Sequence, residues 1–188
     1  MSIFKENLKE HLNLFNLLEE LSSPIDHAIN LCTSSLMFNG KILLCGNGGS
    51  AADCQHIASE LTGRFMKDRA AISALALTTD TSAITAISND FSFNDIFSRQ
   101  LEALGRPDDV LIAISTSGNS ANVIEAAKAA QHKDIKVIGL LGNGGGKLDK
   151  LCDVSIIVPS KSTARIQEAH ILIGHTICAG IEIELGLV

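Results

Sequence analysis

The sequence predicts an α/β fold of three layers, a parallel β-sheet flanked by helices on both faces. Three observations carry this reading. Short, continuous apolar runs recur along the chain, stretches with helical spacing alternate with them, and two of the runs end in glycine-rich or hydroxyl-rich loops. Strands covered on both faces read as unbroken apolar runs, and parallel strands need helical crossovers between them.

In chain order, residues 3–37 place Leu8, Leu12, Phe15, Leu18 and Leu21 at helical spacing, with a break near Ser22-Ser23-Pro24-Ile25. Pro24 suits the first turn of a second helix that runs to about Phe38. Lys41–Cys45 (KILLC) is the first strand; it ends in Gly46-Asn47-Gly48-Gly49-Ser50, where a helical stretch begins. Ile72–Leu77, Val110–Ile114, Val137–Leu141 and Val154–Val158 are the further strands, and Ala121–Ala130 is a helix. A last helix covers about 162–186. No linker or low-complexity tract divides residues 1–188, so one domain is expected.

Composition narrows the function classes. A chain of 188 residues with 46% hydrophobic content buries about 70% of its unfolded surface, enough to dispense with disulfides or structural metal. Fifteen Lys+Arg against twenty-one Asp+Glu give a net charge of −6. Without a basic run there is no electrostatic footprint for nucleic acid. Five cysteines, an odd number without a CxxC pair, argue against a disulfide framework and a thiolate zinc site. The mixed, charged start MSIFKENLKEHL is no signal peptide. Residues 171–188 are apolar but carry His175, Glu182 and Glu184, so they read as a buried helix rather than a bilayer span. A soluble, cytoplasmic protein without a membrane partner is expected.

Ligands of parallel sheets bind beyond the carboxyl ends of the strands, which directs attention to two loops. In Gly46–Ser50 the glycines let backbone approach a ligand, and the next helix offers unpaired N–H groups. Gly46-x-Gly48-x-x-Ala51 fits the dinucleotide fingerprint only weakly, because Asp80 lies too far on to serve the ribose. Ser115-Thr116-Ser117-Gly118-Asn119-Ser120 stands at a helix start, where hydroxyls and amides hold phosphate without fixed positive charge. A single hydroxyl would suffice to cap that helix. Gly142–Lys147 (GNGGGK) lacks Walker spacing and reads as a turn.

His56 and Glu60, four apart, share one helix face beside the first loop. That spacing suits two ligands of one divalent metal, a carboxylate oriented by an imidazole, or a solvated surface pair. In the last helix Gln167 and His175 are eight apart, offset by about 80° around the axis. His170, three after Gln167, is by spacing the better companion of Gln167, so the choice between His170 and His175 stays open on geometry alone.

CGNGGSAADCQHIASELTGRF (45–65), SNDFSFNDIFSRQ (88–100), DVLIAISTSGNSANVI (109–124) and ARIQEAHILIGH (164–175) together resemble the phosphoheptose isomerases of the sugar-isomerase, or SIS, domain family. The resemblance spans nearly the whole chain. It implies a flavodoxin-like α/β fold, a homotetramer and a cytoplasmic enzyme that converts sedoheptulose 7-phosphate to D-glycero-D-manno-heptose 7-phosphate. That step opens nucleotide-activated heptose synthesis for the lipopolysaccharide core. It further implies that Asn47, Gly48, Gly49, Asn89, Asp90, Ser115, Thr116, Ser117 and Ser120 bind the sugar phosphate. His56, Glu60, Gln167 and His175 are the implied ligands of one zinc ion per subunit, with Glu60 and Gln167 also facing substrate and Arg64 orienting the site. Glu60 and His175 are the implied acid/base pair. The helices over about 3–38 and 162–186 are expected in oligomer contacts. Ala164 precedes Arg165 where some members carry Asp, so no carboxylate role attaches to that position.

The competing reading is non-catalytic. A related SIS protein is an adaptor that binds the bacterial replication initiator and lacks counterparts of the catalytic Glu and the last His; a silent sugar-phosphate sensor is a further variant. Glu60 and His175 are both present here, which favours the enzyme.

Overall fold

The computed structural model describes residues 2–188. Two helices lead, α1 (Ile3–Phe15) and α2 (Ser22–Met37), joined through a 3-10 turn at Leu18–Leu21. Then follow β1 (Ile42–Gly46), α3 (Gly49–Thr62), β2 (Ala74–Ala76), α4 (Thr81–Asp90), α5 (Ser98–Leu104) and β3 (Val110–Ser115). The chain finishes with α6 (Ala121–His132), β4 (Lys136–Leu141), β5 (Val154–Ile157) and α7 (Thr163–Glu184).

All five strands are parallel, in the order β2-β1-β3-β4-β5. Alternate residues of each strand feed opposite layers. Ile42, Leu44, Ile112, Ile114 and Leu140 pack with α2, α3 and α7, while Leu43, Cys45, Leu111, Ala113 and Val137 pack with α5 and α6. This is the expected three-layer architecture. It also explains the unbroken apolar runs, since each side of a strand meets a helix layer.

The predicted strand over Ile72–Leu77 contracts to Ala74–Ala76. It is an edge strand bonded only to β1, and its flanks continue the ladder through Ile42 N–H to Ser73 O (3.0 Å) and Leu77 N–H to Leu44 O (2.9 Å). Ile72 turns away to donate to Leu61 O at 3.0 Å. Helices α4 and α5 are additions to the sequence reading. TSAITAISND is rich in β-branched and short polar residues of low helix propensity. The overlooked signal is Asp80, whose side chain caps α4 by accepting from Ala83 N–H at 2.9 Å.

A buried ion pair ties α7 to the end of α3. Glu182 accepts from Arg69 Nε at 2.7 Å and from the Phe65 and Met66 amides, while Arg69 also donates to the carbonyls of Glu60 and Leu61 at 2.8 Å. Despite the burial of Glu182, its bonds to Arg69 and the two amides hold the carboxyl below its ordinary pKa. Removing either partner would leave an uncompensated buried charge, at a cost of about 3–5 kcal/mol. The last turn of α3 is thereby tied to α7. No described helix is long and apolar enough to cross a membrane.

Candidate active site

In the strand order found here the chain reverses direction between β1 and β3, so the crevice beyond their carboxyl ends is the natural ligand site. Gly46 pairs with Ile114 across those strands, which sets the two predicted loops side by side. Gly48 turns from strand to helix with φ +57°, a left-handed conformation that favours glycine. At Gly49 a Cβ would stand 2.6 Å from Gln167 Nε2, so the bare backbone admits the glutamine amide against the loop.

In the second loop Ser115 is buried, and its Oγ lies 3.0 Å from Ser120 Oγ. Ser120 occupies the N-cap position of α6, yet its hydroxyl makes no capping bond. Capping alone therefore does not account for this hydroxyl, and the amides of the first turn are not satisfied by it. The turn at 142–147 forms as expected, with positive φ at Asn143, Gly144, Gly145 and Gly146. It buttresses the hydroxyl loop. Leu148 N–H donates to Gly118 O (2.9 Å), Lys147 N–H to Asn119 Oδ1 (3.1 Å) and Asn143 Nδ2 to Thr116 O (3.0 Å).

Helices α3 and α7 lie alongside in the same direction, with Gln167 against Gly49, Gly174 against Ile57 and His175 against His56. Three predicted site residues converge there. His56 Nε2 lies 2.9 Å from His175 Nε2 and 3.3 Å from Glu60 Oε1. One ligand atom from each of the three falls within 4.8 Å of the others. Two imidazole nitrogens so close can be satisfied by one shared proton or by one cation. Tetrahedral ligands at about 2.0–2.1 Å from zinc stand roughly 3.3 Å apart, so the spacing and the nitrogen/oxygen donors fit a metal. The triad is a possible metal-binding site. Gln167 belongs to the same groove, but its amide rests at Gly49.

The other predicted residues divide. Asn47 joins the first turn of α6, the helix that follows the second loop, through Asn122, in bonds of 2.8 and 2.9 Å. Asn89 and Asp90 sit exposed at the end of α4, bonded to each other at 2.7 Å. Arg64 pairs with Asp68 at 2.6 Å on an exposed segment. His170, the companion that spacing preferred for Gln167, is wholly buried and its Nε2 lies 3.1 Å from Leu141 O. Burial lowers its pKa to about 4, so it is a neutral core residue.

Sequence reasoning missed two neighbours of the triad. Asp53, one turn before His56, is half-buried, and its Oδ2 has no hydrogen-bond partner among the described residues. Burial raises its pKa, while the imidazoles of His56 and His175 pull it partly back. Its i,i+3 spacing to His56 was the available signal. Phe65 stacks on His175, with ring centroids 5.5 Å apart; nothing in a linear pattern marks that contact.

This fold and site define a class. Residues 5–142 match the family model of the SIS domain, and the chain belongs to that family. A phosphoheptose isomerase of Aliarcobacter butzleri is 51% identical over 98% of this chain and 97% of its own length. The structure of a phosphoheptose isomerase from Neisseria gonorrhoeae superposes with a TM-score of 0.91 at 50% identity, covering 96% of this chain and 97% of that one. One from Francisella tularensis gives 0.93 at 36% identity, covering 97% and 100%. Within the SIS family the chain belongs with the phosphoheptose isomerases.

Proposed function

We propose that this protein is an aldose–ketose isomerase that converts sedoheptulose 7-phosphate to D-glycero-D-manno-heptose 7-phosphate. The observation that carries the reading is the convergence of Glu60 and His175 from two helices, in the groove between α3 and α7 that starts at the glycine loop, beside the hydroxyl loop. A non-catalytic adaptor or sensor is not favoured, because neither needs that pair.

The 7-phosphate is held by Ser115, Thr116, Ser117 and Ser120 with the first amides of α6, remote from the bonds that change. Asn47, Gly48, Gly49, Asn89, Asp90, Arg64 and Gln167 position the sugar; Arg64 and the Asn89-Asp90 pair reach it by side-chain movement or from a neighbouring subunit. Gly49 and His56 are separated by about 10 Å of helix rise, a length comparable to an extended seven-carbon chain with its terminal phosphate. Binding energy from the phosphate thus orients C1 and C2 at the triad.

Isomerisation removes a proton from C1 of the ketose and protonates O2, giving the enediol. Loss of the O1 proton and protonation of C2 then complete the aldose. Glu60 and His175 supply these transfers, as two acid/base groups flanking the reacting carbons. Glu60 Oε1 faces His56, which leaves its second oxygen to exchange protons with substrate. A zinc ion held by His56, Glu60, Gln167 and His175 would polarise the substrate oxygens as a Lewis acid. Imidazole donors favour zinc over magnesium.

The protein acts in the cytoplasm as a single-domain subunit of a tetramer. Supporting this assembly, α1 exposes Phe4, Leu8 and Leu12 along one stripe, apolar surface suited to contact by α1, α2 and α7 with other copies. The test of function is incubation of purified protein with sedoheptulose 7-phosphate, followed by NMR. Appearance of the aldose phosphate without added nucleotide is the expected result, and its absence from folded, metal-replete protein would reject the activity.

A further inference from the structure

Asn122 is 2% exposed and stands in the first turn of α6, directly after the hydroxyl loop. Its side chain exchanges two hydrogen bonds with a residue 75 positions away. Asn47 Nδ2 donates to Asn122 Oδ1 at 2.8 Å, and Asn122 Nδ2 donates to Asn47 Oδ1 at 2.9 Å. A reciprocal amide pair is self-locking. Rotating either amide by half a turn sets oxygen against oxygen and N–H against N–H, and both bonds are lost together. Asn47, half-buried at the rim of the crevice, keeps one N–H and one lone pair in fixed directions for a ligand. The pair is also a direct side-chain link between the glycine loop after β1 and the helix after β3.

We propose that Asn122 is a positioning residue for sugar-phosphate binding, acting through its paired amide on Asn47 to hold the two loops in one arrangement. The inference rests on the reading above that Asn47 contacts the sugar phosphate. The sequence offered no warning of it, because Asn122 falls in a helical stretch where a polar residue reads as solvated surface. Its burial and its remote partner mark it out. A buried amide is retained where its hydrogen bonds are complete and specify one geometry.

The test is a double-mutant cycle at positions 47 and 122, with KM and kcat for sedoheptulose 7-phosphate and the melting temperature of each variant. Asn47→Ala should raise KM by about tenfold, the size of one lost hydrogen bond. Asn122→Ala should raise KM nearly as far, and more than it lowers kcat. The double variant should lie within about twofold of Asn47→Ala, since a residue acting through Asn47 has nothing left to position. If Asn122→Ala does not fold, Asn122→Asp runs the same cycle; it fills the same space but cannot donate to Asn47. Effects that multiply in the double variant would overturn the inference, as would a wild-type KM in the position-122 variant alongside a raised KM in Asn47→Ala. An unchanged KM in Asn47→Ala would instead reject the sugar-phosphate role of Asn47, and the inference with it.

Discussion

His56 and His175 meet nitrogen to nitrogen at 2.9 Å, although 119 residues separate them in the chain. Such a contact leaves only one proton, or one cation, to satisfy two lone-pair donors. Phe65 stacks on the second ring and Glu60 Oε1 approaches the first at 3.3 Å. The arrangement presents a carboxylate and an imidazole to one point in the groove between α3 and α7.

Turnover should therefore collapse when either acid/base group is lost. Glu60→Gln and His175→Gln should each reduce kcat by at least about a hundredfold. Both side chains are partly exposed, so circular dichroism and melting should remain near wild type. Near wild-type rates in either variant would remove that residue from the proton transfers.

Metal content and assembly can be measured on one preparation. Elemental analysis should find zinc in proportion to protein, light scattering should find a symmetric oligomer, and a chelator should depress activity reversibly. His56→Ala should lose zinc. A fully active, metal-free monomer would reject both the metal and the assembly; a metal-free, active oligomer would reject only the metal.

Phosphate recognition through hydroxyls has its own signature. Ser117→Ala combined with Ser120→Ala should weaken binding of phosphorylated sugars far more than of the free sugars, by about tenfold or more for two hydrogen bonds to a charged group. Calorimetric titration with both ligand classes separates them. Equal weakening of the two would move the phosphate site elsewhere.

His170 should govern part of the acid stability. Burial lowers its pKa from 6.5 to about 4. An unfolded chain takes up the proton near 6.5, the folded one only near 4, so stability falls as pH drops through that window. The loss should reach about 2 kcal/mol at pH 5. Urea unfolding at pH 7 and pH 5 should show this difference in the wild type and a smaller one in His170→Gln, which keeps a donor for Leu141 O but does not titrate. Equal pH dependence in both proteins would show that His170 is not responsible.

Much of the molecule was legible in the chain itself. Five apolar runs became five parallel strands because burial on both faces demands residues such as Ile42, Leu43 and Leu44 in succession. The loops at Gly46–Ser50 and Ser115–Ser120 declared themselves by composition, since close backbone approach needs glycine and phosphate binding needs hydroxyls and free amides. His56 and Glu60 were paired by a local period. Helix α4 was not legible, because its residues carry weak propensity, and its cap at Asp80 and the packing of half-buried Ile84 and Ile87 against the core supply what propensity does not.

Tertiary structure alone decided which distant residues meet. Spacing preferred His170 beside Gln167, and the fold buried His170 against Leu141 while carrying His175 to His56. It turned Arg64 toward Asp68, gave the end of α3 to Arg69 and Glu182, and locked Asn47 to Asn122. Local periodicity reports which face of an element is buried, because that is set by the geometry of one helix or strand. Which polar groups then share a site depends on how helices from opposite ends of the chain pack together. Here that is the parallel alignment of α3 and α7, admitted by Gly49 and Gly174 and written in no single segment.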